Sequence, residues 1–181
     1  TEALEVISNI VEVQNWCKLN NAKLLLVNSF THAFESFLGN RVSPITEQMS
    51  LQAIKLVVQN LPKAIKDPNN IKVRSNLAWA DTLAGMCLAN GGADLPHPLG
   101  EIIGGICPRI AHGDTLAIVY PAFLNYKADK APDKFIQVAN HLNLKADPGA
   151  LVEAILNLFK ITGLSSALEK ANLTQQEIES I

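Results

Sequence analysis

Cysteine, aromatic residues and a surplus of either charge are all scarce in this 181-residue chain. Its three cysteines, Cys17, Cys87 and Cys107, are odd in number and far apart, with no C-x-x-C pair. That excludes a disulfide framework or a cysteine-rich zinc site and fits a reducing, cytoplasmic setting. The 15 Lys and Arg against 17 Asp and Glu leave a net charge of −2. A nucleic-acid-binding protein would be strongly basic, so that partner class is excluded. No apolar run reaches the roughly 18 residues a membrane span needs. The opening TEALEVISNIVEVQ carries acids and no basic n-region, unlike a signal peptide. A start at Thr1 suits a processed chain or a piece of a longer protein. Catalytic signatures are missing too: there is no G-x-S-x-G, P-loop or G-x-G-x-x-G.

What is present is a core-forming composition, 48% hydrophobic and 6% aromatic, which predicts an interior built mostly from Leu, Ile, Val and Ala. Apolar residues recur at three- and four-residue intervals, so the expected fold is all-α with about eight to ten helices. Leu4, Ile7 and Val11 give residues 1–21 the pattern of a leading helix or linker. A helix is expected from about Ala22 to Leu38, closed by Gly39 in the left-handed conformation. Ser43 as N-cap with Pro44 at the first position should open the next, which is expected to stop near Leu61-Pro62. After the Asp67-Pro68-Asn69-Asn70 turn, a helix from about Ile71 should be broken by Gly91-Gly92.

Shorter helices are predicted from Pro96 to Gly104, from His112, and from Pro132 to His141. Another should run from the Asp147 cap to Gly163. The last should be held by a Thr174/Glu177 capping box, with Leu173 against Ile178 as a staple. VRSNLAW and LAIVY resemble strands in isolation but lie inside helical patterns.

Four histidines carry the candidate chemistry. Asn28 and His32 are four apart and share a helix face, as do His97 and Glu101. With His112, three imidazoles and an oxygen donor suit a first-row divalent metal. His141 has no ligand-type neighbour and is expected to be structural. Cys87 and Cys107 are weak nucleophile candidates that burial would explain. Lys63, Lys66, Lys72 and Arg74 read as a solvated face.

Four fragments in order resemble the iron-containing alcohol dehydrogenases. They are THAFESF with SLQAIKLVVQNLP, SNLAWADTLAGMCLANGGADLPHPLGEIIGG, IAHGDTLAIVYPAFLNY, and the closing stretch from FIQVANHLNL onward. The resemblance implies that residues 22–181 form that family's all-α metal-binding domain, of dehydroquinate synthase-like type. Its N-terminal nucleotide-binding domain is absent from this chain, and would bind most of the NAD or NADP. It further implies a divalent metal, Fe2+ or alternatively Zn2+, on Asn28, His32, His97 and His112, and hydride transfer between small alcohols and aldehydes or ketones.

The chain departs from the family pattern in three places. Asn28 stands where an Asp is expected. Glu101 stands where the family has a further His beside the nicotinamide, and makes a candidate catalytic residue or substitute ligand. The 15-residue spacing from His97 to His112 is about one residue longer than in the family pattern. A degenerate, non-catalytic domain and a zinc-dependent polyol dehydrogenase or synthase are the alternatives. Apolar surface exposed where the other domain would dock could also support a homo-oligomer.

Overall fold

A computed structural model describes the backbone of residues 22–181 and the side chains of 27–181. The leading-helix expectation for 1–21 lies outside the described residues. Nine helices follow in order: α1 (Ala22–Leu38), α2 (Pro44–Lys66), α3 (Ile71–Gly91), α4 (Pro96–Ile106), α5 (His112–Lys130), α6 (Pro132–His141), α7 (Pro148–Thr162), α8 (Ala167–Ala171) and α9 (Gln175–Ser180). Among the described residues there is no strand, and both strand-like stretches are helical.

Local chemistry sets most of the boundaries. The Ser43 hydroxyl accepts from the Thr46 N–H at 3.2 Å, and the Thr46 hydroxyl accepts from the Ser43 N–H at 2.8 Å, with Pro44 at the first helical position. Asn70 and Asp147 cap α3 and α7 through single side-chain acceptors. Thr174 and Glu177 form the expected capping box on α9. Gly163 ends α7 at φ 78°, and Gly92 ends α3 at φ 77°, conformations that favour glycine.

Two boundaries differ from expectation. Helix α2 runs through Pro62 to Lys66 instead of stopping there. Proline costs the Val58 carbonyl its helical donor, but Leu61 is buried and Ala64 and Ile65 pack on the core, so the last turn is held by tertiary contact. Gly39 does not adopt positive φ. Its N–H reaches the Glu35 and Ser36 carbonyls at 3.0 and 3.3 Å, while Lys134 donates to the Phe37 carbonyl at 2.6 Å, so the end of α1 is satisfied without a left-handed residue.

Helix α1 is the axis of the molecule, with α2 and α3 wrapped against it and α5 crossing it, while α4 lies on α5. The α1–α3 crossing is close. A Cβ on Gly91 would fall 2.0 Å from the Ser36 hydroxyl, which itself donates to the Cys87 carbonyl at 2.8 Å. Aromatics are few, but all six phenylalanines are in the core. Phe30, Phe34 and Phe37 line one side of α1. Phe34 meets Phe135 edge-on at 5.4 Å, and Tyr120 packs against Phe30, Phe123 and Phe159. Edge-on and tilted rings of this kind gain beyond simple area burial. Cys87 and Cys107 are both fully buried, as structural thiols.

Candidate metal centre

The polar residues of α1 fall on the side opposite its phenylalanines. At 100° per residue Asn28, His32 and Glu35 share one stripe, flanked by Ser29, Thr31 and Ser36. Ser29, Thr31, Glu35 and Ser36 are wholly buried. A buried polar stripe is costly unless it is partnered, and here it faces the starts of α4 and α5.

Those starts carry His97 and His112. Gly100, one turn after His97, packs against α5 so closely that a Cβ there would lie 2.9 Å from the Thr115 hydroxyl and 3.2 Å from Leu116. Thr115 in turn follows His112 by three residues and donates to its carbonyl at 2.8 Å. The missing side chain at 100 therefore sets how near the two histidines come. The turn before α4 is pinned from both sides. Asp94 pairs with Lys127 of α5 at 2.5 Å, and its N–H donates to Glu35 Oε2 at 3.0 Å.

The three imidazoles expected to converge do so. His32 and His97 lie 4.7 Å apart between ring centroids, and His97 and His112 lie 5.5 Å apart. His97 is buried, and its Nδ1 sits 2.8 Å from Glu35 Oε2. With Glu35 as a carboxylate, that oxygen accepts from both the Asp94 N–H and Nδ1–H. The lone pair is then on Nε2, which is buried without a hydrogen-bond partner, as is the Asn28 Oδ1. Burial, then the neighbouring imidazoles His97 and His112, press the His32 pKa down to about 4, with Asp81 opposing. His112 is also lowered, by burial and then His97, against Glu101. Burial raises the Glu35 carboxyl, against its hydrogen bond to His97.

His32 and His112 are thus uncharged at neutral pH, with lone pairs to offer. A carboxylate behind a ligating imidazole fixes its tautomer and strengthens it as a donor. The donor set and the two orphaned atoms fit a divalent transition metal. Among the described residues no group of three or more His, Cys, Asp and Glu side chains forms a finished cage. The His32 and His97 rings stack with planes 26° apart, so their faces meet rather than their nitrogens.

Glu101 is exposed on α4, close enough to His112 for its charge to act there. His141 stands apart at the end of α6. Glu35 and Asp81 were not singled out from the sequence. Glu35 had a readable signal, an acid between Phe34 and Phe37 and three residues after His32, whereas Asp81 joins through a contact spanning 52 positions.

A model of the C-terminal region of Fe-containing alcohol dehydrogenases matches residues 26–181. The chain belongs to the iron-containing alcohol dehydrogenase family. It is 30% identical over 128 residues to 1,3-propanediol dehydrogenase of Citrobacter freundii, covering 71% of this chain and 33% of that protein. With the NAD-dependent methanol dehydrogenase of Bacillus methanolicus it shares 24% identity over 160 residues, covering 84% of this chain and 42% of the other.

Among solved structures, an archaeal halo-thermophilic alcohol dehydrogenase from a Red Sea brine pool superposes with a TM-score of 0.81. That match has 24% identity and covers 87% of this chain and 42% of that one. A 1,3-propanediol oxidoreductase structure matches at a TM-score of 0.77 and 25% identity, over 84% and 41% of the two chains. This chain therefore spans between about a third and two-fifths of the length of these relatives. The all-α architecture is that of the family's C-terminal domain.

Proposed function

We propose that residues 22–181 are the metal-binding domain of an NAD(P)-dependent alcohol dehydrogenase that interconverts small alcohols and aldehydes or ketones by hydride transfer. A nucleotide-binding domain that precedes it in the whole protein would bind most of the cofactor. The observation that carries this reading is the meeting of His32, His97 and His112, with His97 Nε2 buried, free and backed by Glu35.

Asn28, His32, His97 and His112 would hold the ion, Fe2+ in the first instance and Zn2+ as the alternative. When bound, such an ion polarises a substrate oxygen as a Lewis acid. The chain's own part is positional. Glu35 fixes the His97 ring and its tautomer, Asp94 and Lys127 lock the turn that delivers α4, and Gly100 lets α4 and α5 close on the site. Glu101 stands next to His112, where a carboxylate can add charge or take part in proton movement. No helix among the described residues is long and apolar enough to cross a membrane; a cytoplasmic location belongs with this reading.

One observation favours a second reading, a domain that keeps the fold without binding metal: the histidines have not formed a finished cage, and Asn28 supplies no charge. Elemental analysis separates the two. Protein purified without chelator should hold about one iron or zinc per chain, and His97→Ala should hold none. Metal-free wild-type protein that takes up neither ion on addition would overturn the first reading.

A further inference from the structure

One imidazole of the cluster touches a carboxylate, and two more acids lie near enough for their charge to reach the others. His97 has Glu35, at hydrogen-bond distance. His112 has Glu101, whose charge acts on it, and His32 has Asp81 in the same sense. Glu101 and Glu35 each share a helix with another histidine of the cluster: Glu101 follows His97 by one turn on α4, and Glu35 follows His32 by three residues on α1. Asp81 comes from α3 and is brought in by a hydrogen bond from Ser29 of α1.

That contact is specific. Ser29 is fully buried, next to Asn28, and donates to Asp81 Oδ1 at 2.5 Å. A hydroxyl bonded to a carboxylate at this distance is a charge-assisted bond. Ser29 precedes His32 by three residues, so both look out over the same part of α1. A carboxylate tied to Ser29 is therefore held on the His32 side of α1. Asp81 itself is exposed, while its anchor Ser29 lies inside.

The electrostatics give this placement a purpose. Asn28 and three neutral imidazoles leave a divalent ion with its full charge, in surroundings where charge is poorly solvated. The family pattern has an acid at 28; here that position is an amide, and an acid is tethered one residue away in sequence, from the neighbouring helix. We propose that Asp81, held by Ser29, is the anionic member of this cation site and supplies from α3 the negative charge that Asn28 does not. The proposal rests on the metal-binding reading above and adds to it a relocated charge. Asp81 is a charge-supplying residue, and its effect is on ion affinity.

The test is Zn2+ affinity of the full chain, by competition with a chelating dye, together with the rise in melting temperature on adding Zn2+. Asp81→Asn should weaken binding by about 10–100-fold, the range found when groups supporting a metal site are removed. Asp81→Glu, which keeps the charge, should stay within a few-fold of wild type. Ser29→Ala should weaken binding in the same direction but less. Introducing Asn28→Asp into the Asp81→Asn protein should restore most of the loss, which a merely structural role for Asp81 would not allow.

Wild-type binding with Asp81→Asn unchanged within about twofold overturns the proposal and leaves the metal site standing. Loss of affinity that Asn28→Asp fails to restore also overturns it. Wild-type protein that binds no Zn2+ or Fe2+ overturns both readings together.

Discussion

The two sides of α1 lie on one helix, yet they meet burial by opposite means. Phe30, Phe34 and Phe37 carry no polar atom on their side chains and disappear into an aromatic cluster. Asn28, His32 and Glu35 turn toward α4 and α5, where Asn28 Oδ1, Glu35 Oε1 and His97 Nε2 remain without hydrogen bonds. A fold under selection for stability alone would fill that second side with leucine. Orphaned polar atoms each cost on the order of 1–3 kcal/mol. Asn28, Glu35 and His97 bring three such atoms to the place where α1 faces α4, at a cost to stability.

The largest way to break this comparison is Phe34→Ala. It should cost about 3–5 kcal/mol of folding stability, measured by denaturant unfolding, because the ring leaves a cavity among Phe30, Phe135 and their neighbours. Metal affinity of the protein that remains folded should change little.

Glu35→Gln is the converse. The carboxamide oxygen can still accept from Asp94 and His97, so unfolding of the metal-free protein should shift by less than about 1 kcal/mol. Metal affinity should fall about 10-fold or more, read by chelator competition. If both variants lower stability and binding in parallel, the two sides of α1 are not separable.

Gly100→Ala tests the delivery of the histidines. Its methyl group meets Thr115 and Leu116, so a loss of about 1–3 kcal/mol is expected. Wider separation of His97 and His112 should appear as weakened metal binding, with the aromatic side untouched.

The smallest effect lies far from α1. Arg109 grips Glu177 through both guanidinium nitrogens and also reaches the Ala171 and Asn172 carbonyls, so it holds α9 to the loop after α4. The hydrogen bonds from Arg109, then Thr174, keep the Glu177 carboxyl well below its ordinary 4.5. A lowered folded-state pKa means that the clamp contributes fully above about 4.5 and weakens only as pH falls below that. Hydrogen exchange of α9 amides should be flat from pH 7 down to about 5, after correction for intrinsic rates. Protection should be lost at more acidic pH, ahead of the core. Loss of α9 protection near neutral pH would show that the clamp is not what holds it.

Much of this molecule is legible in its sequence where the determinants are local. Ser43-Pro44, Asp147-Pro148, the Thr174/Glu177 pair and Gly163 each act within four residues, and each does what its chemistry predicts. The convergence of His32, His97 and His112 followed from the family resemblance, since no local rule brings together positions 65 and 15 residues apart. Pro62 went the other way: it is a strong local stop signal, overruled by the core contacts of Ala64 and Ile65. Gly39 does follow the end of α1, but without the left-handed conformation, because Lys134 reaches the Phe37 carbonyl there. Asp81 was out of reach for the same reason, because its meaning lies in a hydroxyl on another helix.

The burial of Cys87 and Cys107 turns the protein into its own recorder of motion. One thiol is sealed where α3 meets α2, against the Thr46 carbonyl, and the other at the start of the loop that Arg109 fastens. With Cys17 replaced by Ser, a thiol-reactive dye would reach each only when its own part of the structure opens. The two labelling rates would then report separately on the helix bundle and on the C-terminal strap.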